Sequence, residues 1–122
     1  MPFSDSQSHL RDIIGAIDDI QQFTEGMDAA AFHADAKTRA AVERKFLVIG
    51  EAASRLGDQA ARLCPGLPWQ NIRGIGNRIR HGYDTVNPEI IWNTVQDHLP
   101  SLRAAVTSAL RSPEAPNPKP EP

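Results

Sequence analysis

Four stretches of this chain space their large apolar residues three and four apart, and none alternates them with a period of two. A period near 3.6 gathers such residues on one face of a helix, whereas a half-buried strand needs strict alternation. The spacing therefore predicts an all-α fold before any other feature is considered. In the first stretch Leu10, Ile13, Ile14, Ile17, Ile20 and Phe23 form a single stripe on a helix from about residue 5 to Glu25. Asp12, Asp18, Asp19 and Gln22 fall mostly on its wet side. Ser4, with Gln7 three residues on, predicts a capping box at its start, and Gly26 predicts its end.

The segment "MDAAAF" reads as a connector or a short helical turn. Asp35 is a suitable N-cap for a long helix through "AKTRAAVERKFLVIGEAASRLG", whose inward positions are Val42, Phe46, Ile49, Ala53 and Leu56. Gly57 stops it. In "DQAARLCPGLPW" two prolines and a glycine force a turn after room for a short helix. Pro68 and Trp69 lead into the third main helix, with Ile72, Ile75 and Ile79 toward the core. Asn87 as N-cap and Pro88 at the first helical position open the fourth, which buries Ile91, Val95, Leu99, Leu102 and Val106. Pro100 lies inside that pattern and predicts a kink or two abutting helices. Connections this short favour antiparallel neighbours, so the expected architecture is an up-and-down bundle of four main helices plus short helical connectors over residues 1–111. The remainder, 112–122, reads "SPEAPNPKPEP"; five prolines in eleven residues with no large apolar side chain predict a disordered tail.

A chain of 122 residues suits one domain of modest core. Its formal charge of -2 leaves no global field to attract nucleic acid, so any such binding must come from a local patch. The single cysteine, Cys64, excludes an internal disulfide and fits a reducing compartment. No apolar run approaches the ~20 residues that cross a bilayer, and the N-terminus has no basic segment followed by an apolar one. A cytoplasmic protein with no membrane association is the expectation. His9, His33, His81 and His98 share no ligand-like spacing, so neither a metal site nor a cofactor is expected. The glycines of "RGIGNRIRHG" resemble a phosphate loop only superficially, because no strand precedes them. Gly74 and Gly76 read instead as places where a neighbouring helix or a ligand comes close.

One segment stands out in charge. From Gln59 to Tyr83 there is no Asp or Glu, while Arg62, Arg73, Arg78, Arg80 and His81 all fall there. On a helix Arg73, Asn77 and His81, spaced by four, share a stripe, and Arg78 flanks His81 at three. Two explanations stand side by side. Cations are favoured near a helix C-terminus by the backbone dipole. Alternatively, guanidinium groups that grip phosphate oxygens, beside a histidine able to move protons, make a site that cleaves RNA without metal through the 2′-hydroxyl. Arginine would then stabilise charge developing at phosphorus. Tyr83 could stack a base, donate a hydrogen bond, accept a modification or simply pack against the core.

The segment "NRIRHGY" resembles the signature of the HEPN superfamily, in its HepT-like branch: arginine, a polar residue that is often asparagine, three variable positions, histidine, one variable position, tyrosine. Asn77, His81 and Tyr83 fall on it in register. "LRDIIGAIDDIQQFTEGM" is similar to the family's first helix, "VIGEAASRL" to its "IGEAA" helix, and "PGLPWQNIRGIGNRIRHGYDTVNPEIIWNTVQDHLPSL" to its third and fourth, so the likeness covers nearly all of the globular part. One position departs: Gly76 stands five residues before His81, where the family places its signature arginine. Either Arg73, Arg78 or Arg80 covers that role, or cleavage is lost and the protein only binds nucleotide, RNA or a partner.

The resemblance implies a ribonuclease toxin of a toxin–antitoxin pair. His81, Arg78 and Asn77 would be catalytic, and Arg73, Arg78 and Arg80 would hold RNA phosphates. It further implies a homodimer with both motif helices at a shared cleft. The partner would be a minimal nucleotidyltransferase antitoxin that silences the toxin by moving AMP from ATP onto Tyr83. Glu51, in "IGEAA", is expected to be structural, pairing with an arginine of the motif helix.

Overall fold

The computed structural model describes the backbone of residues 2–81 and 87–111, and the side chains of 6–79 and 87–111. The predicted tail and Tyr83 lie outside the described residues. The first helix, α1 (Pro2–Phe23), is followed by a short α2 (Ala29–Ala34), the long α3 (Ala36–Leu56), a short α4 (Gln59–Leu63) and α5 (Trp69–His81). The chain then forms α6 (Pro88–Asp97) and α7 (Leu99–Arg111). No strand occurs among the described residues, and the fold is all-α and HEPN-like.

Most boundaries follow from local chemistry. Asp35 accepts from the Thr38 amide at 3.0 Å and so caps α3, and Asp28 does the same for α2 through Ala31 at 2.8 Å. Gly57 ends α3 with φ of +56°, a conformation costly for any residue with a Cβ. Asn87 accepts from Glu89 at 2.8 Å, with Pro88 at the first helical position as expected. Pro100 cannot donate to a carbonyl four residues back, and the pattern resolves into two abutting helices that meet at His98. α1 begins earlier than expected, at Pro2, so Ser4 lies within the helix rather than at its N-cap. A proline is well suited to a first helical position, since its missing N–H has no intrahelical partner to lose.

Leu10, Ile13, Ile17 and Ile20 of α1 are fully buried, together with Val42 of α3 and Val106 of α7. The core extends through Phe46, Ile49, Ile79, Ile91, Val95 and Leu102. α3 is the central element, with α1 and α5 both packed on it and α7 against α1. Asp19 meets Lys45 at 2.9 Å and Asp18 pairs with Arg103, so charged clasps line the edges of these packings. The short helices also carry core weight: Phe32 of α2 is fully buried, with its ring centroid 5.3 Å from that of Trp92 in α6. Trp69 donates from Nε1 to the Cys64 carbonyl at 2.9 Å, which closes the proline turn and fixes where α5 starts.

Candidate functional site on α5

α5 contains no acidic residue, and one of its faces is set by a close glycine-to-glycine contact with α3. A Cβ on Gly76 would lie 3.4 Å from the Gly50 Cα, and a Cβ on Gly50 would lie 3.1 Å from the Gly76 Cα. The two backbones therefore touch, with Gly76 of α5 seated against Gly50 of α3. This is the close helix approach anticipated for Gly76. Gly74, by contrast, has open space around it.

The two helices run antiparallel, since Arg73 reaches the carbonyls of Ala53 and Gly57, further along α3 than Gly50. Its Nε donates to Ala53 at 3.2 Å and its Nη2 to Gly57 at 2.9 Å. These carbonyls lie at the C-terminal end of α3, where each also accepts a backbone amide, Ala53 from Gly57 at 3.3 Å and Gly57 from Ala60 at 3.1 Å, and the dipole favours a cation. The half-buried guanidinium of Arg73 is thus engaged in joining α5 to the end of α3.

Asn77, one turn after Arg73, and Arg78 beside it are both exposed. Arg78 has no hydrogen bond or ion pair with any described residue. Arg80 and His81 are the last two residues of α5, and their side chains fall outside the described ones. Arg78 precedes His81 by three helical residues, or about 4.5 Å of rise. The stripe Arg73, Asn77, His81 is present as a backbone register, but its first member turns into the fold while the second faces out. Glu51 accepts from Arg55 Nε, one turn along its own helix, at 2.9 Å.

Beside α5 lies a groove of about 440 Å³, bounded by α6, the start of α7 and the floor of α3. Spacing placed Ile72 and Ile75 in the core; they are half-buried and form one wall of this groove. The sequence signal that could have revealed it is Arg78 standing three residues after Ile75 on the same side. Among the described residues no three His, Cys, Asp or Glu side chains come together as a metal would require. No described helix is long and apolar enough to cross a membrane.

Comparison with known proteins adds an independent finding. The family model described as ribonuclease HepT-like matches residues 13–109, a span that includes all of α5. A "Probable ribonuclease HepT" of Thermococcus cleftensis is 34% identical over 97 residues, covering 80% of this chain and 88% of the relative. The protein named "Putative RNase MJ0127" of Methanocaldococcus jannaschii is 36% identical over 101 residues, covering 83% and 84% of the two chains. "Putative RNase TTE0752" of Caldanaerobacter subterraneus is 27% identical over 103 residues, covering 84% and 92%. No solved structure matches at a significant level.

Proposed function

Because this chain belongs to the ribonuclease HepT-like family, we propose that it is a metal-independent RNA endonuclease whose working residues are His81, Arg78 and Asn77. The observation that carries this assignment is the division of labour among the arginines of α5. Arg73 is occupied at the end of α3, whereas Arg78 is exposed and unengaged among the described residues, on an acid-free helix, one turn before His81. Gly76 stands in place of the family's signature arginine, and among the described residues Arg78 is the cation left to replace it.

In the proposed step a base removes the proton of the 2′-hydroxyl and the 2′-oxygen attacks phosphorus. The 5′-oxygen leaves with a proton from an acid, giving a 2′,3′-cyclic phosphate and a 5′-hydroxyl. Imidazole serves in either role because it gains and loses a proton near neutral pH. The Arg78 guanidinium offsets charge on the phosphoryl oxygens, and the Asn77 amide orients the strand. Two copies of His81 facing each other in a homodimer would separate the acid and base duties.

Within the same proposal the protein is a toxin, and a minimal nucleotidyltransferase silences it by placing AMP on Tyr83. Negative charge and bulk beside the arginines would exclude RNA. The test is expression with and without His81→Ala: wild type should arrest growth, and the variant should relieve the arrest at equal abundance. Incubation with ATP and the partner, followed by mass spectrometry, should find AMP on Tyr83; an unmodified tyrosine would count against silencing by this route.

A second reading has its own support, the burial of Gly76 against Gly50. A chain that has given its signature arginine over to helix packing could retain binding and partner docking while losing cleavage. That version requires wild type and His81→Ala to be equally harmless and equally unable to cut RNA.

A further inference from the structure

The groove beside α5 has the composition of a ligand site. Its volume of about 440 Å³ falls within the range of roughly 300–1,000 Å³ typical of small-molecule pockets. Ile72 and Ile75 of α5 and Ile90 of α6 all line it, and Ile90 is 51% exposed. Among the described residues no carboxylate lines it, although the chain is net acidic; Arg78 and His98 do. The remaining polar groups are short and differ in kind. Thr94 Oγ1 donates to the Ile90 carbonyl at 2.8 Å and Ser101 Oγ to the His98 carbonyl at 3.1 Å, so both hydroxyl hydrogens are committed and both oxygens remain acceptors. The Asn71 amide offers donors and an acceptor.

We propose that this groove is a nucleotide subsite, taking one nucleobase between the isoleucine walls with its phosphate at Arg78. A nucleobase has apolar faces, which the isoleucines can cover, and a polar edge of amino donors and ring acceptors, and single-stranded RNA is read by splaying such bases out and hydrogen-bonding their edges. An aliphatic ligand would use the walls but leave Asn71, Thr94 and Ser101 unmatched. An inorganic anion would use Arg78 but not the isoleucines. Arg78 belongs to the groove and also stands one helical turn before His81, so a base held here sets the adjoining phosphate beside the proposed chemistry. The subsite rests on the nuclease reading for its biological role, though not for the binding itself.

The test uses the full chain, isotopically labelled, titrated with each of the four ribonucleoside 5′-monophosphates, with ribonucleosides and with inorganic phosphate. Saturable amide shifts are expected at Asn71, Ile75, Arg78, Thr94 and Leu102. Nucleosides and phosphate alone should bind about tenfold or more weakly, since each lacks one half of the contacts. Ser101→Trp, which fills the groove from an exposed position, should weaken nucleotide binding by about tenfold without altering the thermal midpoint. In a cleavage assay it should raise KM for RNA and leave kcat nearly unchanged.

Shifts scattered outside the groove, or equal binding of inorganic phosphate, would overturn the proposal. So would a silent groove together with a change of sedimenting mass in Ser101→Trp, which would assign the surface to a second copy of the chain. The two readings separate cleanly. Nucleotide binding in the groove without RNA cleavage retains the subsite and removes the nuclease. His81-dependent cleavage with no groove shifts and an unaltered KM in Ser101→Trp does the reverse.

Discussion

The backbone contact between Gly50 and Gly76 can be tested by adding a single methyl group to either side. On Gly50 the new Cβ would sit 3.1 Å from the Gly76 Cα and 3.4 Å from its nitrogen. Carbon atoms prefer about 3.5–4.0 Å, so α3 and α5 must part by several tenths of an ångström, with backbone on both sides. Overpacking of this kind destabilises by about 1–3 kcal/mol, and replacing glycine by alanine inside a helix returns about 0.8–1.0 kcal/mol. Gly50→Ala is therefore expected to cost about 1 kcal/mol net. On Gly76 the same methyl meets Gly50 Cα at 3.4 Å, nearly an ordinary contact, so propensity should dominate. Gly76→Ala is then expected to be neutral or stabilising by up to about 1 kcal/mol. Urea denaturation of both variants measures the difference, expected at about 1–2 kcal/mol in favour of Gly76→Ala. Equal stability, or a more stable Gly50→Ala, would refute the argument that these two backbones set the position of α5.

Arg73→Met should destabilise by about 1.5–3 kcal/mol, because the carbonyls of Ala53 and Gly57 lose a charged donor. Arg73→Lys should recover only part of this, since an ammonium cannot reproduce the fork, and denaturation midpoints read both. The hydrogen bond and charge of Arg103 hold the Asp18 carboxyl below its ordinary value of 3.8. The stability it contributes is therefore present above 3.8 and is lost as pH falls through the lowered value. Wild type should exceed Asp18→Asn at neutral pH by a small margin that disappears in strong acid, as seen in thermal melts across pH. Burial raises the Cys64 thiol above its ordinary value, so a thiol reagent should leave the native protein unlabelled at neutral pH and react fully once it is unfolded.

Helix periodicity and end signals were legible in the sequence because both are local. Asp35, Gly57, Asn87 and Pro88 act through their own backbone neighbours, so type and position were enough to place them. Pro100 predicted a break for the same reason, although the meeting point falls two residues earlier, at His98. What could not be read was partnership across the fold. Arg73 and Arg78 are alike in type and lie on the same acid-free helix; only the direction of α3 turns the first toward two carbonyls and leaves the second exposed. Gly76 was expected to admit a close neighbour, but its partner Gly50 lies 26 positions earlier on another helix. Ile72 and Ile75 followed the core pattern yet line a groove, because α5 packs chiefly on α3 and stands apart from α6.

The central claim is that α5 carries a working nuclease site despite Gly76. Its most direct measurement is cleavage of a single-stranded RNA by the purified full chain in the presence of a chelator. Wild type, His81→Ala and Arg78→Ala would be compared after their thermal midpoints have been matched. Wild type is expected to cut and leave 2′,3′-cyclic phosphate ends, with His81→Ala slower by about 10²–10⁴-fold and Arg78→Ala by about 10²–10³-fold. Undiminished cleavage by His81→Ala, or an intact wild type that cuts no RNA under conditions where a relative with the signature arginine does, would contradict it.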